Sequence, residues 1–175
     1  MKILALVGSP RKGGNTDLLV DEMLKGCKKK GHTTEKICLY DYNILPCTDC
    51  RACNSGSYKC ILKDDMQRLY PQLESADVIV FGTPMYWYGP TGKMKLAMDR
   101  LLPFITSGGL KGKRGVVVIP SEEGPDACGP MLEMFKMSFS YLGMEYAGEV
   151  LAEAYEKGKV KEDKRKEAND LGASL

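Results

Sequence analysis

Histidine is nearly absent: the 175-residue chain has one, His32. A zinc site built on paired histidines, such as H-E-x-x-H, is therefore excluded. A nucleophilic triad is restricted to whatever His32 reaches. Tryptophan is as scarce, with Trp87 alone. An excess of charge of one sign is missing too. Lys and Arg number 25 against 23 Asp and Glu, a net charge of +2. That excludes a broad basic field for nucleic acid or an anionic membrane surface. Long apolar runs are also lacking. The first, Ile3 to Val7, has five residues, too few for a secretory core segment or a membrane span. With no export signal in view, the expected location is the cytoplasm, where cysteines are read as metal or redox ligands before disulfides. Against these absences stand seven cysteines, and the chemistry is sought there.

The rest of the chain alternates strand and helix. Ile3–Val7, Val78–Phe81 and Val116–Ile119 are short, unbroken apolar runs, the pattern of strands buried on both faces of a parallel sheet. Thr33–Tyr40 partly alternates and reads as an edge strand, and Glu145–Leu151 supplies a fifth. Between them, Leu19, Val20, Met23, Leu24 and Cys27 form a stripe of helical period, capped by Asn15 or Thr16 and ended by Gly31. Leu132, Phe135, Phe139 and Leu142 form another. Asp64–Ala76 and Gly92–Leu102 are two further helices, the first expected to kink or break at Pro71. Such alternation implies an α/β doubly wound sheet. Five strands at this length fit the flavodoxin-like order 2-1-3-4-5 in one domain spanning residues 1–175. The charged segment near residues 156–171 reads as a solvated helix, with a subunit contact as the alternative.

The first strand runs into Gly8-Ser9-Pro10-Arg11-Lys12-Gly13-Gly14-Asn15-Thr16 and then a helix. Such a junction presents unpaired N–H groups and the positive end of a helix dipole to an anion. Gly13 and Gly14 permit close approach. Ser9, Asn15 and Thr16 donate hydrogen bonds, and Arg11 pairs with phosphate oxygens. The loop lacks both the Gly-Lys-Ser/Thr of a P-loop and the G-x-G-x-x-G of a dinucleotide site. The third strand ends at Gly82-Thr83-Pro84-Met85-Tyr86-Trp87-Tyr88-Gly89-Pro90. Three consecutive aromatics in a surface loop cover something flat, or a partner surface. A phosphate cradle beside an aromatic wall suits flavin mononucleotide (FMN), with Ser9, Arg11, Gly14, Asn15, Thr16, Pro84, Met85, Tyr86, Trp87, Tyr88 and Gly89 as the candidate contacts. Ser121, after the fourth strand, joins them. Glu122 and Glu123 beside it read as solvated carboxylates.

Cys47, Cys50, Cys53 and Cys60 read C-x2-C-x2-C-x6-C. Close spacing in an irregular loop brings thiolates to one [4Fe–4S] cluster, with a turn at Gly56 returning Cys60 to the other three. A zinc site, a redox disulfide and free thiols are the competing readings. Cys27, Cys38 and Cys128 read as buried small hydrophobes, and His32 as a surface turn residue. No side-chain acid or base is required, so no catalytic residue is assigned.

These residues resemble the iron–sulfur flavoproteins of anaerobes, within the NAD(P)H-dependent FMN reductase group of the flavodoxin-like superfamily. The resemblance rests on Gly8 to Thr16, on the four cysteines with Asp64-Asp65-Met66 after them, and on Thr83-Pro84-x-Tyr86 with Lys95 and Asp99-Arg100. It covers about the first hundred residues. It implies FMN, one [4Fe–4S] cluster, and dimers or tetramers in which flavin and cluster meet across subunits. The expected function is electron transfer from a one-electron donor such as reduced ferredoxin to a two-electron acceptor. The alternative is an NAD(P)H-dependent FMN or quinone reductase whose cysteines hold no iron.

Overall fold

The computed structural model describes residues 1–55, 57 and 59–175. Gly56, the expected turn in the cysteine loop, lies outside the described residues. The strands are β1 (Lys2–Val7), β2 (Thr33–Cys38), β3 (Val78–Gly82), β4 (Met85–Tyr86), β5 (Gly89–Pro90), β6 (Arg114–Ser121) and β7 (Glu145–Glu153). The helices are α1 (Asn15–Lys29), α2 (Met66–Ser75), α3 (Gly92–Asp99), α4 (Pro103–Ser107), α5 (Gly129–Leu142) and α6 (Glu162–Ser174). Five strands form one parallel sheet in the order β2-β1-β3-β6-β7. With the small antiparallel pair β4–β5 set aside, this is the flavodoxin-like order expected from the pattern.

The unbroken apolar runs work because each strand feeds two cores. Ile3, Ala5, Val7, Val78, Val80, Val116 and Val118 face α1 and α6, where Leu19, Val20, Met23 and Ala168 are buried. Leu4, Leu6, Ile79, Phe81, Val117 and Ile119 face the opposite side, with Met66, Leu69, Phe135 and Phe139. The period-2 pleat divides every run between the two layers. Parallel register brings Val7, Gly82 and Val118 side by side. The carboxyl ends of the central strands therefore open onto one edge.

Three local expectations are corrected. Helix α1 starts at Asn15 with Gly14 as its N-cap, so Asn15 and Thr16 sit in the first turn and cap nothing. Helix α2 runs through Pro71 without interruption. Pro71 and Gln67, four residues before it, are both exposed, so water meets the carbonyl that Pro71 leaves without a donor. The charged C-terminal helix begins at Glu162 rather than near residue 156. It is not solvated all round: Ala168 and Gly172 are buried, Gly172 directly against Met23 of α1. A methyl group at Gly26 would overlap the Asn169 carbonyl oxygen, and one at Gly172 would overlap that of Met23. The two helices cross backbone to backbone, which only glycine permits.

Candidate functional site

The loops at the carboxyl edge enclose a cleft of about 430 Å³, within the roughly 300–1,000 Å³ of ligand sites. Ser9, Arg11, Asn15 and Thr16 line it from the β1–α1 junction, Pro84, Met85 and Tyr86 from the segment after β3 that includes β4, and Pro120 and Glu122 from the end of β6. Hydroxyl groups lock these loops together. Buried Thr91 donates its hydroxyl to the Gly8 carbonyl at 2.6 Å and caps α3 by accepting from Met94 N–H at 3.3 Å. Its own N–H donates to the Thr83 hydroxyl at 3.1 Å. Gly8 N–H reaches the Gly82 carbonyl at 2.7 Å, and Thr83 N–H the Val118 carbonyl at 3.0 Å.

Inside the first loop, the Ser9 hydroxyl accepts from Arg11 N–H at 3.3 Å. The chain turns so tightly that a Cβ on Gly14 would come within 2.7 Å of the Arg11 carbonyl oxygen. Thr16 is 1% exposed, while the Arg11 guanidinium stands in solvent at the rim. Because α1 starts at Asn15, its first-turn N–H groups have no intrahelical acceptors, and Asn15 and Thr16 line the cleft.

Asn15 does something the sequence did not suggest. Its side-chain amide donates to the carbonyls of Ala154 at 3.3 Å and Glu156 at 2.9 Å, and its Oδ1 accepts from Lys159 N–H at 3.1 Å. These bonds clamp the loop after β7, so Ala154, Tyr155, Glu156 and Lys157 form a further wall of the cleft. Sequence reasoning missed this wall by extending the charged helix over it. The available signal was the fifth strand, whose carboxyl end must open on the same edge. Gly14, Trp87, Tyr88, Gly89 and Ser121 do not line the cleft. Ser121 is buried, its hydroxyl accepting from Glu123 N–H at 3.1 Å.

The aromatic segment is a two-residue hairpin. Met85 and Tyr86 pair with Pro90 and Gly89, and the turn residues Trp87 and Tyr88 have φ of 50° and 59°. Positive φ at both turn positions matches the twist of a tight hairpin, though glycine or asparagine is the usual choice. Trp87 is 98% exposed at the tip.

The cysteine segment leaves β2 through a short 3₁₀ turn, Leu39–Asp41, and carries the other strained residues. Among the described residues, positive φ at non-glycine positions occurs only at Asp49, Arg51, Trp87 and Tyr88. Asp49 and Arg51 flank Cys50, and the Arg51 Nε is 2.6 Å from Asp49 Oδ1. Such backbone is costly for a side chain like that of arginine and concentrates at functional loops. The reversals bring Cys47, Cys50, Cys53 and Cys60 to the wall of one cavity of about 20 Å³, closed behind by Asp99, Arg100, Leu102 and Pro103. All four thiols are free, Cys47 and Cys50 exposed and Cys53 buried. Burial pushes the Cys53 thiol up, and the neighbouring Cys60, Cys47 and Cys50 sulfurs push it further. Among the described residues, no three His, Cys, Asp or Glu side chains are arranged to hold a single metal ion. Of the other cysteines, Cys27 and Cys128 are buried as expected, and Cys38 is half-buried.

A buried ion pair closes the base of this excursion. Arg100 and Asp64 side chains are each 1% exposed, with Nη1–Oδ2 at 2.5 Å and Nη2–Oδ1 at 3.1 Å. Asp64 also accepts from Leu45 N–H at 2.8 Å and Met66 N–H at 3.1 Å, while Arg100 Nη1 donates to the Leu45 carbonyl at 2.8 Å. Asp65 accepts from Asn43 N–H at 2.7 Å. Both stems of the loop are thus fastened to one point. Burial pushes the Asp64 carboxyl up, but Arg100 and the two N–H donors outweigh it and hold it below its ordinary range. Behind the pair, the Tyr70 hydroxyl donates to the Arg100 carbonyl at 2.9 Å, and burial raises its pKa.

A doubly wound sheet in this order, with a phosphate-type loop at the switch point between β1 and β3, defines a flavodoxin-like protein. The model of the NADPH-dependent FMN reductase family matches residues 1–156, and the chain belongs to that family and so to the flavin-dependent oxidoreductases. It is 29% identical, over its whole length and 79% of the relative's, to an iron-sulfur flavoprotein of Archaeoglobus fulgidus. It is 37% identical, over 67% of its length, to an iron-sulfur flavoprotein of Methanocaldococcus jannaschii, of which the match spans 61%. Among solved structures, an FMN-dependent NADH-azoreductase from Bacillus anthracis in complex with FMN superposes with a TM-score of 0.74 at 19% identity, covering 100% of this chain and 99% of that one. That likeness is one of fold. Among the described residues, no helix is long and apolar enough to cross a membrane.

Proposed function

We propose that this chain binds FMN in the carboxyl-edge cleft and one [4Fe–4S] cluster on Cys47, Cys50, Cys53 and Cys60. In this reading it passes electrons from a one-electron donor such as ferredoxin to a two-electron acceptor. The convergence of the four cysteines on one cavity carries the cluster reading. Four thiols from one strained loop are the donor set that iron–sulfur clusters take, and the names of the two relatives point the same way. The cavity is small as it stands. Cys47 and Cys50 lie on an exposed limb without regular structure, which gives the loop room to open around a cluster.

FMN supplies the exchange between one-electron and two-electron chemistry when bound. The chain's own residues bind and orient it. The α1 N-terminus, the Ser9 and Thr16 hydroxyls and the Arg11 guanidinium suit its phosphate. Pro84, Met85 and Tyr86 suit one side of the ring, and the β7–α6 loop the other wall. Trp87, Tyr88, Gly89, Gly14 and Ser121 act indirectly, by shaping the hairpin and the two loops. The exposed Trp87 tip supports a homodimer or homotetramer in which it covers a neighbouring copy.

A second reading rests on the family match itself, which names an NADPH-dependent FMN reductase. In it NAD(P)H is the donor and the cysteines hold no iron. Anaerobic purification with flavin, iron and acid-labile sulfide assays decides between them. One FMN and about four irons per chain support the first reading. FMN without iron, together with bleaching of the flavin by NADPH, moves the assignment to the second.

A further inference from the structure

The Asp64–Arg100 pair holds a group that fastening the loop does not use. Arg100 commits Nη1 and Nη2 to Asp64 and the Leu45 carbonyl. Its Nε–H is buried and, among the described residues, has no partner, on a side chain 1% exposed. Such a donor is costly to leave unmet and marks either strain or a missing acceptor. Arg100 also lines the cavity bordered by the four cysteines. Cys60 is close enough to act on the guanidinium electrostatically. An acceptor is therefore at hand once the cysteines are thiolates holding a cluster.

We propose that Arg100 is a positioning residue for the cluster, its Nε–H donating to the Cys60 sulfur and thereby raising the cluster's reduction potential. The inference rests on the cluster reading given above. A donor to a ligating thiolate draws electron density from the sulfur and favours the more negative, reduced cluster. Arginine suits the role because its fork satisfies Asp64 with two nitrogens and leaves the third free. Lysine has a single charged nitrogen and cannot do both. Asp64 fixes the plane of the guanidinium and so the direction of the Nε–H.

The test is a potentiometric titration of the reconstituted full chain, followed by electron paramagnetic resonance, in wild type and Arg100→Lys. The lysine keeps a cation beside Asp64 and removes the Nε–H. At a fixed applied potential the reduced-to-oxidised ratio of the cluster should fall about tenfold, which is a midpoint about 59 mV lower for a one-electron couple. An iron-loaded Arg100→Lys protein with an unchanged potential overturns this inference and leaves the cluster reading intact. A wild-type chain that takes up no iron and sulfide overturns the cluster reading and the inference with it. If Arg100→Lys does not fold, wild-type protein labelled with 15N-arginine decides the matter. Nitrogen modulation of the reduced cluster's spin echo, retained in Arg51→Lys, is expected, and its absence overturns the inference.

Discussion

The cleft beyond β1, β3, β6 and β7 closes on itself without a ligand, whereas the cysteine excursion beyond β2 closes only at its base. Thr83, Thr91 and Asn15 saturate the cleft loops with short hydrogen bonds to backbone. Among its described residues, the excursion between Leu45 and Asp64 has two strained residues, mostly exposed side chains and no sheet. The first region is pre-organised by the fold; the second is fastened at its stems and, in the proposed reading, is ordered by the cluster its thiols take up. A pre-organised site spends little binding energy on ordering. A cluster loop recovers its ordering cost from the metal–sulfur bonds.

The sharpest way to break this contrast is at the base of the excursion. Arg100→Met strands a buried carboxylate and should lower unfolding free energy by about 3–5 kcal/mol, read by urea titration. The same pair gives an acid limb to stability. Because the folded pKa of Asp64 is depressed, its contribution is complete above the unfolded carboxylate value of about 3.9. It is lost as pH falls through the lower folded value. Asp64→Asn should flatten the fall in urea midpoint below about pH 4.

On the cleft side, Gly172→Ala forces α6 off α1 and should cost about 1–3 kcal/mol by overpacking. A thermal melt at matched FMN concentration measures it, and an unchanged midpoint would show that the crossing yields easily. Asn15→Ala removes the clamp on the β7–α6 loop. It should cost about 1–2 kcal/mol of stability and weaken FMN roughly tenfold by leaving one wall to be ordered on binding. Fluorescence quenching titration of FMN reads the affinity, and unaltered affinity would mean that the wall is dispensable. The smallest stability effect belongs to Cys50→Ser, within about 0.5 kcal/mol for an exposed side chain. Iron uptake should nevertheless vanish while FMN affinity is kept. Loss of FMN with iron retained would contradict the separation of the two sites.

Much of this was legible locally. The unbroken valine and isoleucine runs marked strands buried on both sides, and their alternation with helical stripes set the order of the sheet. The Gly8 to Thr16 loop could be placed at the carboxyl edge because a strand, its loop and the helix start that follows are neighbours in sequence. The cysteine spacing was legible for the same reason. Pro71 does not break α2, since the Gln67 carbonyl that it leaves without a donor belongs to an exposed residue and meets water. Asn15 misled because its side chain is taken by carbonyls 139 and 141 residues away.

By itself, then, the sequence determined the doubly wound sheet, the phosphate-type loop and the set of four cysteines, each written in short-range pattern. Tertiary structure alone decided that the β7–α6 loop walls the cleft. It also decided that Gly26 and Gly172 seat one helix on another, and that Arg100 stands behind the cysteines. Those facts depend on groups brought together by packing. The Arg100–Asp64 separation of 36 residues leaves no periodicity or spacing for a sequence to display.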